Sequence, residues 1–249
     1  MKMQKLFAVV LATFLIISCK EETTVKTTIK QSADFEVEAE QFADIKVLRY
    51  DIPGWENLSL KEQEFVYYLS KAGMAGRDII WDQNYKHNLK IRKALENIYT
   101  TYKGNKSSAD WKNFEIYLKR VWFANGIHHH YSMEKIKPEF SLGYFNQLLA
   151  DTKTDLAPDV VVILFNDQDS KKVNLDESKG LLEGSAVNFY DTGITAQQAE
   201  EFYKSKTSAD TKRPVSFGLN SKLVRDANGN ITEKVWKSGG MYGPAIDKV

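Results

Sequence analysis

The first half of the chain places apolar and polar residues at helical spacing, and the clearest stretch runs from residue 65 to residue 84. Just before it, Ser59 and Glu62 have the Ser-x-x-Glu spacing of a capping box, which marks the start of a helix. Apolar residues then recur three and four positions apart, as they do on the buried face of a helix. The pattern predicts a buried helix with these inward positions: Phe65, Tyr68, Leu69 and Ala72.

Three further segments repeat the helical pattern. The first covers residues 91–102 and ends at Lys103 and Gly104, the second begins near Ser108, and the third covers residues 141–150. A glycine shortly after the last apolar position is a common helix stop. We expect the first two of these helices to pack against the helix that follows the capping box, because each has one apolar face to bury.

The apolar run 160–165 fits two structures. Its branched residues favour a strand. Pro158, however, suits the first turn of a helix, where the missing backbone N–H costs nothing. The residues of this run leave both alternatives open.

The last third of the chain contains strand-like patterns. Residues 184–190 are predicted to form a strand. Thr195 and Gln198 have the spacing of a second capping box, which predicts a short helix over residues 199–204. The helical first half is therefore followed by a mixed region.

A β-hairpin is predicted near the end of the chain, where residues 215–225 and 231–237 flank the turn sequence Asp-Ala-Asn-Gly. A short extended segment, 45–48, is predicted near the start of the domain. No linker separates the helical part, residues 56–150, from the mixed part, residues 151–249. The sequence predicts one continuous α+β lobe.

The amino terminus differs in composition from the rest. Lys2 and Lys5 precede a short apolar run that ends in Ile-Ile-Ser-Cys, the pattern of a bacterial lipoprotein signal. We predict that residues 1–18 are a signal peptide and that Cys19 is lipidated. The protein would then be anchored in the bacterial cell envelope, on the outer membrane, facing the periplasm or the cell surface. An ordinary secretory signal is the alternative.

The segment after the signal, residues 19–34, is polar, Thr-rich and without apolar periodicity, which predicts a disordered tether. Removal of residues 1–18 takes away two lysines and changes the formal net charge of the chain from +1 to −1. This balance gives no support to nucleic-acid binding. Hydrophobic residues make up 43% of the chain and aromatic residues 12%, which is enough for a globular core.

Four segments have sequence patterns that are more specific than those of a generic amphipathic helix: 65–84, 88–99, 125–131 and 239–243. Together they resemble the amino-terminal part of bacterial dipeptidyl peptidase III, the M49 family of zinc exopeptidases. The resemblance covers about residues 35–249. It implies a helix for residues 160–165. It also implies a lobe built around a small β-barrel or antiparallel sheet, opposite a zinc-bearing lobe and separated from it by the substrate cleft.

Members of that family hold zinc on a His-Glu-x-x-x-Gly-His or His-Glu-x-x-Gly-His helix and a later Glu-Glu-x-Arg motif, and this sequence contains no His-Glu pair. The resemblance therefore implies zinc in the full-length enzyme, none bound by this chain's own residues, and a chain truncated at its carboxy end. It implies two partners: short peptides and the remaining zinc-bearing lobe of the same polypeptide. The predicted lipid anchor adds a third, a membrane.

Three consecutive histidines, 128–130, raise the question of a metal site. Neighbouring side chains diverge by roughly 100° on a helix and alternate between faces on a strand, so all three are not expected to bind one ion. A structural or cleft-lining role is the expectation. The resemblance places the loop 125–131 near the interlobe cleft, and it implies that Asn125, His129 and Tyr131 contact peptide or the other lobe.

Other candidate motifs are weaker. Ser185 lacks the flanking glycines of a nucleophile elbow. The oxygen-rich segments 167–169 and 226–230 do not complete a calcium loop, and we predict turns there. The glycine-rich segment 239–243 lacks the spacing of a phosphate-binding loop.

The leading functional prediction is thus the amino-terminal lobe of a zinc-dependent dipeptidyl peptidase, which releases dipeptides from the amino terminus of short peptides. The lobe would be inactive alone. The alternative is a stand-alone, lipid-anchored lipoprotein that binds peptides or proteins without catalysis. A third possibility is a structural surface lipoprotein.

Overall fold

The computed structural model of the chain describes residues 35–166, 171–206, 218 and 220–249. Helices and small antiparallel sheets occur together in this part of the chain, so the predicted α+β class is confirmed. The helices are α1 (Leu60–Ala75), α2 (Arg77–Asn84), α3 (Asn88–Thr101), α4 (Ala109–Ala124), α5 (Leu142–Asp151), α6 (Pro158–Phe165), α7 (Ala196–Lys204) and α8 (Gly243–Lys248). The strands are β1 (Glu38–Phe42), β2 (Ile45–Leu48), β3 (Ser221–Arg225) and β4 (Ile231–Val235).

The main core lies between α3 and α4, as their apolar stripes predict. Ile91 and Leu95 of α3 and Phe114 and Leu118 of α4 are all 0% exposed. Burial of one such side chain contributes about 1.5–3 kcal/mol. Helices α2, α5 and α6 close the core with further buried side chains: Trp81, Phe145, Leu148, Val160, Val161 and Leu164.

Helix starts follow the side chains that the sequence places there. The predicted capping boxes at Ser59 and Thr195 are both formed. Ser108 opens α4 and Ser141 opens α5, and in each case the hydroxyl accepts from a backbone N–H of the first turn. Pro158 occupies the first turn of α6, so the helical alternative for residues 160–165 is the correct one.

The predicted burial of the segment 65–84 is wrong for most of its length. The segment breaks at Gly76 into α1 and α2, and no residue of α1 is buried. Phe65, Tyr68 and Leu69, three predicted inward positions, are 63%, 67% and 54% exposed. The residues of α1 are apolar enough for a core, but its main contacts are with α2 and α8 only. The periodicity of a sequence predicts which face of a helix is apolar, but it does not predict whether another element covers that face.

The two sheets are separate antiparallel pairs, β1 with β2 and β3 with β4. The hairpin predicted near the end of the chain is confirmed, with Ser221 opposite Val235 and Arg225 opposite Ile231. Its turn is held by Asp226, whose Oδ1 accepts from two backbone amides at 2.8 and 2.9 Å. The described residues form no closed β-barrel, contrary to that part of the prediction, because two isolated strand pairs do not supply enough strands to close one.

The strand predicted over residues 184–190 is also not formed. Only isolated bridges occur there, from Ser185 to Lys171 and from Tyr190 to Leu223. Between them the backbone N–H of Asn188 donates to the carbonyl of Gln83 on α2 at 2.8 Å. The segment bonds to several different elements in turn, so no single ladder continues along it.

Some predictions concern residues outside the described part of the chain. These are the signal peptide, the lipidated Cys19, the tether 19–34 and the turn at 167–169, and they stay predictions, as do the domain boundaries. Across the described ranges, none of the helices has the length and apolar character needed to span a membrane.

Candidate functional site

A cluster of polar side chains joins α2 to the carboxy-terminal part of the chain. Asp82 of α2 accepts hydrogen bonds from the hydroxyl of Tyr242 and from Nδ2 of Asn188, the latter at 3.0 Å. Asn188 Oδ1 in turn accepts from Lys222 Nζ at 2.7 Å. Lys222 also pairs with Asp191 at 3.0 Å. One carboxylate therefore holds together three segments that are far apart in sequence.

The glycine-rich segment 239–243 delivers Tyr242 to this cluster. Tyr242 has left-handed backbone angles, φ 60° and ψ 15°, at the start of α8, and the ring of Trp236 packs on it with centroids 5.3 Å apart. Burial and then the bond to Asp82 raise the pKa of the Tyr242 hydroxyl above its ordinary value. The hydroxyl therefore remains a protonated donor through the physiological range.

A groove of about 440 Å³ lies beside this cluster, between the helical core and the segment 182–194. Its wall carries both signs of charge, with Lys86 on one side and Glu183 and Asp191 on the other. Burial raises the pKa of Tyr190, which also lines it. The remaining lining residues are Tyr85, Leu182, Ser185, Ala186, Val187, Asn188, Thr192, Gly193 and Ile194. The wall of the groove is therefore mixed in character, with charged, polar and apolar side chains.

Ser185 has a structural role in the wall of the groove. Its hydroxyl donates to the carbonyl of Leu181 at 2.6 Å and accepts from the backbone N–H of Asn174 at 2.8 Å. Both bonds fix the turn that precedes the groove. The oxygen is thus committed to backbone groups and does not have the partners of a nucleophile.

Asn125, the first residue implied for the cleft, ends α4 in a left-handed conformation with φ 53°. Its side-chain oxygen accepts from Arg77 Nη2 at 3.0 Å, and its backbone carbonyl accepts from Asn84 Nδ2 at 3.0 Å. These contacts join the end of α4 to both ends of α2. Asn125 therefore has a clear local role at a helix junction.

The other two implied cleft residues lie on the loop beyond Asn125. Nδ1 of His129 accepts from the backbone N–H groups of Tyr131 and Ser132, both at 3.1 Å, so this ring shapes a turn. Tyr131 is 83% exposed. The lining of the groove includes none of Asn125, His129 and Tyr131. Contact of these three residues with a peptide or a second lobe stays a prediction.

The three histidines divide into one buried ring and a stacked pair, so the divergence expected of adjacent side chains is not seen between His129 and His130. His128 is 1% exposed and lies edge-on to Tyr85, whereas His130 stacks on His129 with ring centroids 4.5 Å apart. Burial, and next the positive neighbours His129 and Lys172, lower the pKa of His130. The described residues contain no group of three His, Cys, Asp or Glu side chains arranged to hold a metal ion.

Nothing in the sequence pattern connects Asp82 with Tyr242, because 160 positions separate them. The available signals were the glycines around Tyr242 and the polar exit of α2. The burial of Asn88 was likewise not predicted. Asn88 is 0% exposed, and its side chain bridges the carbonyl of Trp81 and the N–H of Ile127. A polar residue at a helix start does not reveal that it will be buried.

Comparison with known proteins adds no family to these observations. No family model matches the chain. No curated protein matches it either.

Proposed function

We propose that this chain is the amino-terminal lobe of a lipid-anchored, zinc-dependent dipeptidyl peptidase of the M49 type, which releases dipeptides from the amino terminus of short peptides. Two kinds of observation support the proposal: the resemblance of four sequence segments, and the exposed apolar helix α1. The second is a property of the fold and carries the structural part of the argument.

Helix α1 has the side chains of a core helix and the exposure of a surface helix. Five consecutive residues, 65–69, are Phe, Val, Tyr, Tyr and Leu, and each is between 39% and 67% exposed. A large apolar surface on a helix is normally buried against another element. Four further apolar residues are exposed on α1 or shortly before it in sequence: Tyr50, Ile52, Leu60 and Met74.

A second lobe is the proposed cover for this surface. Exposed apolar patches on soluble proteins often mark sites of association. Helix α8 already packs on α1 near its carboxy end, where the side chain of Val249 approaches Gly76. The rest of α1 is open to receive other helices. In the proposal these belong to the zinc-bearing lobe of the same polypeptide.

The residues of this chain do not fit a catalytic zinc site. The sequence contains no His-Glu pair, and the described residues do not gather three suitable ligands. In the proposed enzyme, zinc held by the other lobe supplies an activated water for peptide hydrolysis. This chain supplies one wall of the cleft, and the mixed charges of Lys86, Glu183 and Asp191 on that wall are suited to orient a short peptide.

The deciding experiment begins with the gene beyond the codon for Val249. The proposal expects an open frame that encodes a His-Glu-x-x-x-Gly-His or His-Glu-x-x-Gly-His motif and then Glu-Glu-x-Arg. The full product should release dipeptides from short peptides, and a chelator should abolish the release. The 249-residue chain alone should show no chelator-sensitive activity.

A matched pair of substitutions connects this assay to the structure. Tyr68→Ser removes an apolar side chain from the open face of α1, and Val162→Ser removes one that is 57% exposed on α6. In the full product, only Tyr68→Ser should weaken the association of the lobes and reduce dipeptide release. A stop codon after Val249, together with binding of short peptides, would instead favour the stand-alone lipid-anchored binding protein.

A further inference from the structure

The first element of the described structure is a hairpin that two ion pairs join to α4. It comprises β1 and β2 and the bond from Arg49 N–H to the carbonyl of Val37 at 2.7 Å, and we refer to residues 35–49 as the strap. None of the strap residues is buried. They belong to neither of the two clusters of buried apolar side chains. The strap therefore lies outside the core.

Two ion pairs fasten the strap to neighbouring positions on α4. Lys119 Nζ lies 2.6 Å from Glu40 Oε1, and Arg120 Nη2 lies 2.6 Å from Asp44 Oδ1. The Lys119 ammonium also lies 5.9 Å from the centre of the Phe42 ring. The bonds to Glu40 and Glu115 raise the pKa of Lys119, so its charge persists at all physiological pH values.

Under the strap is a small apolar groove. It has a volume of about 270 Å³ and is lined by Glu40, Phe42, Val47, Lys119, Trp122 and Phe123. Phe42 and Val47 are half-buried because they face it, whereas Leu48, the neighbour of Val47 on the other face of β2, is 46% exposed. Lifting the strap would further expose Trp122, which is half-buried, and Phe123, which is already 44% exposed.

We infer that the strap is a charge-clamped latch, which opens and closes on α4 according to ionic strength while the core stays folded. Exposed ion pairs contribute at most about 1 kcal/mol each, and salt screens them. An isolated two-stranded hairpin is marginally stable, so it depends on its attachment. The inference concerns only α4 and the strap, and it does not depend on the proposed peptidase function.

Thiol labelling of the full 249-residue chain tests the latch directly. Val47→Cys places a thiol on the covered face of β2, and Leu48→Cys places one on the open face as the matched control. The parent chain gives the background from Cys19. With a neutral maleimide, the rate for Val47→Cys should rise about five- to tenfold between 20 mM and 500 mM NaCl. The rate for Leu48→Cys should change less than twofold.

Removal of one clamp should mimic salt. Adding Lys119→Ala to the Val47→Cys chain should raise the labelling rate at 20 mM NaCl and weaken its further dependence on salt. Lys112→Ala is the control, because Lys112 is an exposed lysine of the same helix. Equal salt responses of the two cysteine variants, or equal effects of the two lysine substitutions, would overturn the inference.

Hydrogen exchange on the unsubstituted chain provides a second test. It needs no substitution, so a folding defect of a variant cannot affect the result. Amides of residues 38–48 should exchange about five- to tenfold faster at 500 mM than at 20 mM NaCl. Amides in the middle of α4 should be unaffected. Exchange in the strap that is indifferent to salt, or that accelerates together with α4, would show that the strap is not an independent latch.

Discussion

The hydroxyl of Tyr242 donates a hydrogen bond to the carboxylate of Asp82, and this contact joins the final helix of the chain to α2. Hydrogen bonds to charged groups contribute about 1.5–3 kcal/mol. We therefore expect Tyr242→Phe to lower the free energy of unfolding by about 1–3 kcal/mol, as measured by urea denaturation. The ring and its packing on Trp236 would be kept. A loss within error of zero would show that the junction does not contribute to stability.

Replacement of a different tyrosine should have the opposite sign. Tyr117 is 2% exposed, and its hydroxyl has no hydrogen-bond partner within the described structure. A buried hydroxyl without a partner has lost its bonds to water and gained none. Tyr117→Phe should raise the free energy of unfolding by about 1 kcal/mol in the same urea assay. Destabilisation by this substitution would reveal a partner for the hydroxyl.

Alkaline pH should destabilise the protein through both tyrosines. Burial raises the pKa of Tyr117, and burial with the Asp82 bond raises that of Tyr242, whereas in the unfolded chain both titrate near their ordinary value of about 10. Above that pH the unfolded state binds fewer protons than the folded state, so stability falls as pH rises. Below about pH 9 both tyrosines are protonated in the folded and the unfolded state, so these groups should cause little change there.

The measurement is urea denaturation from pH 8 to pH 11. A single fully buried tyrosine contributes a slope of up to about 1.4 kcal/mol per pH unit, and Tyr117→Phe should remove that part of the decline. Tyr131→Phe is the control, because Tyr131 is 83% exposed. A decline of the same steepness in Tyr117→Phe and in the parent chain would contradict the prediction.

Asn88 should be among the most sensitive polar positions of the core. Its Nδ2 donates to the carbonyl of Trp81 at 3.0 Å, and its Oδ1 accepts from the N–H of Ile127 at 3.1 Å. Asn88→Ala would leave both backbone groups buried without a partner, at a cost of about 2–4 kcal/mol. Asn113→Ala is the control, since Asn113 makes its bond to Glu139 on the surface, and it should cost less than about 1 kcal/mol. Similar losses in the two variants would argue against the bridge.

The open face of α1 provides a further prediction for the chain as it stands. Because Tyr68 and Leu69 are more than half exposed, Tyr68→Ser and Leu69→Ser should each change the free energy of unfolding by less than about 0.5 kcal/mol. Leu118→Ala, in the core, should cost about 2–5 kcal/mol. A loss of several kcal/mol from Tyr68→Ser would mean that α1 is buried in solution, for example against a second copy of the chain.

The sequence by itself determined the local structure of this protein. The capping residues Ser59 and Thr195, the proline at the start of α6 and the turn at Asp226 all act through bonds to nearby backbone groups, so their effects can be inferred from short stretches. The inward stripes of α3 and α4 could be predicted for a similar reason, since an apolar face of that length has to be buried.

Tertiary structure alone decided which surfaces meet. The exposure of α1, the irregular path of residues 184–190 and the two separate sheets depend on the presence or position of distant partners, which periodicity does not contain. The polar groove and the Asp82–Tyr242 contact likewise arise only when α2 and the end of the chain are brought together. Capping and turn hydrogen bonds depend on residues a few positions apart, so the sequence predicts them. Burial depends on two surfaces that come together from distant parts of the chain, so only the tertiary structure shows it.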